Sequence, residues 1–196
     1  MVPRKTLTFL GAVGSGKKTL IGNFIWKTGP NMLIVEKLEK NGIRRLDQIQ
    51  PFAEQNSIEL AVDLSPYAYY IVEASKEPDV LLWVVDANAL DGGEASRKEL
   101  VSSLSNGSVR PKDRLLILVN KIDQMEWSEA AFSPLAVRFR DLDGLPSKTY
   151  IIPVSGFHGA NLVEVPQDVE WMNRDSTVDS NVAGIVLGKC LADLLL

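Results

Sequence analysis

Gly11-Ala-Val-Gly-Ser-Gly-Lys-Lys-Thr19 is the stretch on which the fold turns. It fits the pattern G-x-x-x-x-G-K and breaks it at the next place, where Lys18 stands instead of serine or threonine. An apolar, β-rich run, Thr6-Leu-Thr-Phe-Leu10, precedes it, and an amphipathic run, Thr19-Leu-Ile-Gly-Asn-Phe-Ile-Trp26, follows. Strand, glycine-rich loop and helix together predict a phosphate-binding loop. Gly11, Gly14 and Gly16 let successive backbone N–H groups turn inward, and the helix N-terminus behind them adds positive potential. The candidate phosphate ligands are Gly11, Gly14, Ser15, Gly16, Lys17, Lys18 and Thr19, with Lys17 reaching the outer phosphates. The competing reading is a glycine-rich turn with surface lysines.

Outward from this loop, strands and helices alternate. That pattern predicts an α/β, doubly wound, mostly parallel sheet with helices on both faces. The first strand covers 6–10 and the first helix 17–27, closed by Gly29-Pro30. Helix-prone stretches follow at 34–40 and 46–55. Residues 57–64 alternate Ile58, Leu60, Val62 and Leu64 with Glu59, Ala61 and Asp63, the period of a half-buried strand. Its hairpin partner is 67–72, across the turn Ser65-Pro66. The continuous apolar runs 80–85 and 115–119 read as central parallel strands. Helices are expected at 93–104 and 128–140, a last strand at 150–154 and a closing helix at 182–195.

The chain has 196 residues, 45% hydrophobic and 23% charged, with a formal net charge of −4. These values fit one soluble domain spanning 1–196 and give no charge basis for direct nucleic-acid binding. Cys190 is the single cysteine, which excludes an internal disulfide framework and fits a reducing compartment. No apolar run is long enough to cross a membrane. The N-terminus runs straight into a strand, so neither a signal nor a transit peptide is expected, and a cytoplasmic location is the default.

Two more motifs follow later strands. The run 115–119 leads into Asn120-Lys121-Ile122-Asp123, an N-K-x-D sequence. Its aspartate can accept parallel hydrogen bonds from the N1–H and 2-amino groups of guanine. Adenine has no such donor pair and would leave the carboxylate unpaired. Lys121 can lie along the base, and Asn120 can tie loops together. The last strand leads into Ser155-Gly156-Phe157, whose backbone N–H groups can meet the guanine 6-oxygen while Phe157 flanks the ring. Ligands of doubly wound sheets sit at the carboxyl ends of strands, where all three motifs fall.

With these residues in place, the chain resembles the translational GTPases of the elongation factor 1-alpha type. The resemblance rests on Gly11–Lys17, on Ile34-Val-Glu-Lys-Leu-Glu-Lys40, on Asn120–Asp123, on Ser155-Gly-Phe-x-Gly-x-Asn-Leu162 and on Glu170-Trp171. The run from Asn120 to Phe132 is similar to the branch holding the Pelota-partner ribosome-rescue GTPase and the superkiller exosome adaptor. The resemblance implies a P-loop GTPase G domain that binds GTP or GDP. It also implies a protein partner from ribosome-rescue or RNA-surveillance machinery, and no membrane. In the family, two β-barrel domains follow the G domain.

Measured against that family, the chain departs where hydrolysis is performed. The family's Mg²⁺-binding hydroxyl is replaced by Lys18, and its phosphate-loop aspartate corresponds to Gly14. No threonine occurs between Thr28 and Thr149, so the usual switch-one residue is missing. The only Asp-x-x-Gly, Asp141-Leu-Asp-Gly144, lies after the base motif and is misplaced. The only histidine, His158, sits in the base loop and reads as a solvent-exposed residue. The segment 73–79 is shorter than the dozen or so residues of an ordinary parallel crossover. A shortened or rearranged switch region is therefore expected at 57–79, either as a rebuilt sheet edge or as a tight, extended crossover. No catalytic and no metal-ligating residue is assigned. The expectation is a guanine-nucleotide-binding adaptor with weak or absent hydrolysis. The alternatives are a GTPase completed in trans and a nucleotide-free scaffold. A small-molecule kinase is disfavoured by the N-K-x-D sequence.

Overall fold

The computed structural model describes residues 2–174 and 184–196. The elements are β1 (Arg4–Leu10), α1 (Lys17–Lys27), α2 (Met32–Lys40), α3 (Leu46–Gln55), β2 (Leu60–Leu64), β3 (Tyr67–Ile71), β4 (Val80–Asp86), α4 (Glu94–Ser105), β5 (Arg114–Asn120), α5 (Glu129–Arg140), β6 (Thr149–Pro153), β7 (Gly184–Ile185) and α6 (Leu191–Leu195). Short 3-10 turns follow β5 at Ile122–Met125 and precede β7 at Glu170–Asn173. The strands form one seven-stranded sheet in the order β2-β3-β1-β4-β5-β6-β7. Every neighbouring pair is parallel except the β2–β3 hairpin.

The continuous apolar strands are buried because both faces of the sheet are covered. On β4, Val80, Leu82 and Val84 face α1, α3 and α6, where Leu20, Phe24, Ile49 and Leu191 complete one core. Leu81, Trp83 and Val85 face the opposite way, against Leu100, Phe132 and Phe139 of α4 and α5. The Trp83 indole N–H donates to Ser96 Oγ at 2.9 Å, so its one polar atom is satisfied inside this second core.

The switch region resolves into the tight-crossover form. β3 pairs with the first half of β1, Ala68 to Ile71 opposite Arg4 to Leu7. β4 pairs with the second half, beginning with Val80 opposite Leu7. The chain thus leaves β3 and enters β4 at the same height, beside Leu7. An ordinary crossover must also travel back along a strand; this one only steps over β1, about 10 Å, or two strand spacings. Residues 72–79 achieve it without a helix. Their far end is fixed at the amino-end edge of the sheet. Asp79 Oδ2 accepts from Thr6 N at 2.7 Å and from Thr6 Oγ1 at 2.9 Å. Arg110 N donates to Lys76 O, and Lys112 N to Pro78 O.

The C-terminal prediction is corrected. In place of one helix over 182–195, Gly184–Ile185 adds a strand to β6, and helix begins only at Leu191. Gly188, at φ 72°, breaks the run between them. Val182 lies outside the described residues. The predicted strand over 57–64 starts later, at Leu60, because Ser57 has φ 52° and Ile58 N still donates to Ala53 O.

A close helix contact was not visible in the sequence. A Cβ on Gly22 of α1 would stand 2.1 Å from Leu46 O at the start of α3. Backbone cannot yield as a side chain does. Gly22→Ala is therefore expected to lower the unfolding free energy by about 1–3 kcal/mol, the cost of overpacking. This loss outweighs alanine's advantage over glycine as a helix former, about 1 kcal/mol. Urea unfolding of the two proteins measures the difference.

Candidate nucleotide site

The carboxyl ends of β1, β5 and β6 bring the three motifs together on one rim. Gly11 leaves β1 at φ 130°, and a Cβ there would lie 2.2 Å from Val84 O, so the loop passes too close to β4 for a side chain. Gly16, at φ 89°, is the N-cap of α1; its Cβ position is 2.5 Å from Asn120 Nδ2. Only glycine admits both that backbone conformation and that neighbour. The loop is a cradle of backbone with the first turn of α1 behind it.

Lys17 folds over the cradle. Its Nζ donates to Gly11 O at 2.6 Å and to Ala12 O at 2.8 Å. Burial holds its pKa below the ordinary lysine value; the Glu99 carboxylate acts against that shift, and the charge of Lys18 adds to it. A partly desolvated ammonium paired only with carbonyls is suited to accept an anion. Lys18 is exposed, while Thr19 is half-buried and lines the cleft on the base side together with Gly16. Ser15 is buried, and its Oγ has no hydrogen-bond partner.

Asn120 is the hinge pin of the rim. Its Nδ2 donates to Ser15 O at 2.8 Å, and its Oδ1 accepts from Gly156 N at 2.7 Å. Both bonds are buried. The tie between loops expected of Asn120 thus joins the phosphate loop to the base loop. One expectation is corrected here: Gly156 N–H is held by Asn120 and is not free for a guanine oxygen. Gly156 is also packed too tightly for a side chain, its Cβ position being 2.8 Å from Leu20 Cβ. Ser155 Oγ accepts from His158 N at 3.1 Å and so shapes the loop from within.

The cleft beside this pin is lined by Gly16, Thr19, Asn120, Lys121, Asp123, Gln124, Phe157 and His158, with a volume of about 350 Å³. Asp123 points one carboxylate oxygen, Oδ1, into a buried position with no partner. A buried carboxylate oxygen without a donor costs free energy until a donor arrives. Two parallel N–H groups of a guanine ring would satisfy it. The other oxygen, Oδ2, is 3.9 Å from His158 Nε2. Phe157 is 72% exposed and meets the His158 ring edge-on at 5.0 Å, forming the outer wall. A larger groove of about 560 Å³ lies between α1, α2 and α3.

Three supporting residues were given no role by the sequence. Asp86, the last residue of β4, accepts from Lys121 Nζ at 2.6 Å and stretches that side chain across the cleft floor. Its signal was positional: it ends an apolar strand as Asn120 ends the next. Asn23 of α1 is buried and donates to Gly156 O at 3.1 Å and Phe157 O at 2.9 Å. Its signal was an amide on the apolar side of a helix. Asn161 closes the loop by donating to Pro153 O at 2.8 Å.

The fold is that of the G domain of P-loop GTPases. Within that class, the chain resembles the translational GTPases of the elongation factor 1-alpha type. It is 23% identical over 222 aligned positions to elongation factor 1-alpha of Serendipita indica, covering 95% of this chain and 48% of that protein. It is 25% identical to elongation factor 1-alpha-A of Schizosaccharomyces pombe, with 95% and 47% covered. The chain spans about half the length of these relatives. Among solved structures it is similar to Sup35 complexed with GDP, with a TM-score of 0.67 at 20% identity, covering 100% of this chain and 44% of that one. It is also similar to the Saccharomyces cerevisiae Ski7 GTPase-like domain bound to GTP, with a TM-score of 0.60 at 20% identity, covering 98% and 49%. No protein-family model matches the chain.

Asn120→Ala removes both arms of the pin and leaves Ser15 C=O and Gly156 N–H unpaired. The expected loss of stability is about 1–3 kcal/mol, the cost of stranding buried groups. Thermal unfolding checks it, and Asn120→Asp, which keeps the acceptor for Gly156, should fall between the two proteins.

Proposed function

We propose that the chain binds a guanine nucleotide and acts as a translation-factor-like adaptor with little or no hydrolysis of its own. The observation that carries this proposal is the contrast between the two sides of the rim. On the base side, Asp123 holds an unpartnered buried oxygen in a braced cleft. On the switch side, β3 ends beside Leu7, four residues or about 13 Å below Gly11, where the phosphate loop begins. The segment that follows is bonded to Arg110 and Lys112 at the other edge of the sheet.

The binding half follows from the residues. Asp123 accepts from the base, Lys121 lies beside the ring, and Asn120 keeps the base and phosphate loops at a fixed distance. Gly11 to Thr19 cradle the phosphates, with Lys17 exchanging its carbonyl contacts for phosphate oxygens. GTP and GDP both fit this cradle by chemistry, and Sup35 and Ski7, which share the fold, are described with GDP and with GTP.

The hydrolytic half lacks parts. Phosphoryl transfer in this class depends on positioned charge and a positioned water. Lys18 stands where a metal-binding hydroxyl would be. The β3–β4 segment cannot reach the outer phosphate, and His158, the only histidine, stands by the base. The residues that remain serve to hold a ligand and a shape, which is what an adaptor needs. By resemblance, the partners belong to ribosome-rescue or RNA-surveillance machinery.

Asp123→Asn is expected to weaken guanine-nucleotide binding by about 10²-fold or more, because one N–H donor of the base then faces an amide. Preference should shift towards xanthine nucleotides. Isothermal titration with GDP and XDP measures both changes, and unaltered GDP affinity would refute the assignment of the base site. Single-turnover hydrolysis of bound GTP by the natural chain is expected at or below the rate of an unassisted G domain. Brisk turnover without a partner would remove the adaptor reading.

A further inference from the structure

The residue after the phosphate-loop lysine is where this site departs furthest from a metal-assisted one. A hydroxyl there serves Mg²⁺ in P-loop nucleotide sites. Lys18 offers an ammonium, which a cation repels. Thr19 holds the only hydroxyl of the first helical turn. One residue along a helix turns the side chain by about 100°, and Thr19 lines the base cleft. The carboxylates of the rim are committed elsewhere. Asp86 is bound to Lys121 at 2.6 Å, Asp123 stands in the base cleft, and Asp91 accepts from Gly93 N and Ala95 N at the start of α4. Among the described residues, no three His, Cys, Asp or Glu side chains gather as a metal-holding group. The residues present do not fit Mg²⁺.

They do fit a bare anion. Lys17 and Lys18 are consecutive at the N-terminus of an eleven-residue helix. Lys18 is exposed and makes no ion pair with any described carboxylate. Its charge is felt at Lys17, where only Glu99 opposes it. Two ammonium groups on consecutive residues, one of them bonded to carbonyls, repel each other, and an anion between them would relieve that repulsion.

We infer that the phosphate half of this site works without a divalent cation, with Lys18 supplying beside Lys17 the countercharge that a metal would bring. The inference rests on the guanine-nucleotide reading above and adds its electrostatics. It has a consequence opposite in sign to that of a metal-assisted site. Mg²⁺ in solution occupies the same phosphate oxygens as the lysines and so competes with them. Removing it leaves nucleotide affinity unchanged or raises it.

The test is isothermal titration of the natural chain with GDP and with GTP, in Mg²⁺ and in EDTA, repeated on Lys18→Ala and Lys18→Arg. Affinity should be equal or tighter in EDTA. Lys18→Ala should weaken GTP binding by about tenfold at an unchanged melting temperature, and Lys18→Arg should restore it. The slope of affinity against salt should be shallower in Lys18→Ala, which lacks one phosphate-facing charge. A loss of tenfold or more on chelation would overturn the inference and leave the guanine site standing. Insensitivity to EDTA combined with native affinity in Lys18→Ala would overturn the role of Lys18. If neither nucleotide binds in either buffer, both the inference and the guanine-nucleotide reading fall.

Discussion

One side chain fixes the distance between the two halves of the site. The Asn120 amide donates to Ser15 O and accepts from Gly156 N, and all three groups are out of water. Each loop by itself is a backbone segment at a strand end with polar groups to satisfy. Bonded to the same amide, they become one rigid surface, because neither can move without leaving a buried donor or acceptor unpaired. Asn23 reinforces the pin from below, taking the carbonyls of Gly156 and Phe157. Lys121, stretched to Asp86, does the same from β4. The cleft is thus held in shape before any ligand arrives.

Preorganisation on one side and its absence on the other have a common origin in strand order. β4, β5 and β6 lie inside the sheet, covered by helices on both faces, and their side chains make both cores. A change of length between them would shift Trp83, Ile117 or Phe132 and cost packing throughout. β2 and β3 form a hairpin at the margin, hydrogen-bonded to the rest of the sheet along β1. Shortening the path from β3 to β4 removes little core. It does remove reach, since β3 then pairs only with the first half of β1. The alignments to the elongation factor 1-alpha relatives are longer than this chain, so those relatives carry residues that it lacks.

Much of this was legible in the sequence. The glycines of the phosphate loop specify a backbone that other residues cannot adopt, and the α1 bounds followed from Lys17 to Lys27 without error. The apolar runs of β4 and β5 were long enough to name central strands. Legibility failed where a contact is made between segments remote in the chain. Nothing local announces that Gly22 must admit Leu46 O, or that Gly156 N–H would be claimed by an amide 36 positions earlier. The C-terminal segment misled because its apolar residues fit a helical period while Gly184 and Gly188 permit a strand and a turn; pairing with β6 decided between them. The crossover was recognised as too short from its length alone, but not why so short a segment suffices. That depended on register, with Ile71 and Val80 both opposite Leu7.

The same register bears on signalling. A G domain reports the outer phosphate when a loop after β3 and a second loop after α1 close over it, so that GTP and GDP hold different shapes. A ligand can shift a conformational equilibrium only by as much as it distinguishes the two states. Here residues 72–79 are tied through Asp79, Lys76 and Pro78 to Thr6, Arg110 and Lys112, at the edge away from the phosphates. Moving them to the rim would break those bonds, and β3 itself ends about 13 Å short of Gly11. On the reading proposed above, an outer phosphate would therefore meet lysines while residues 72–79 stay at the far edge. A nucleotide here would then act as a structural ligand: it would supply donors to Asp123 and steady the loops joined by Asn120, whether it carries two phosphates or three.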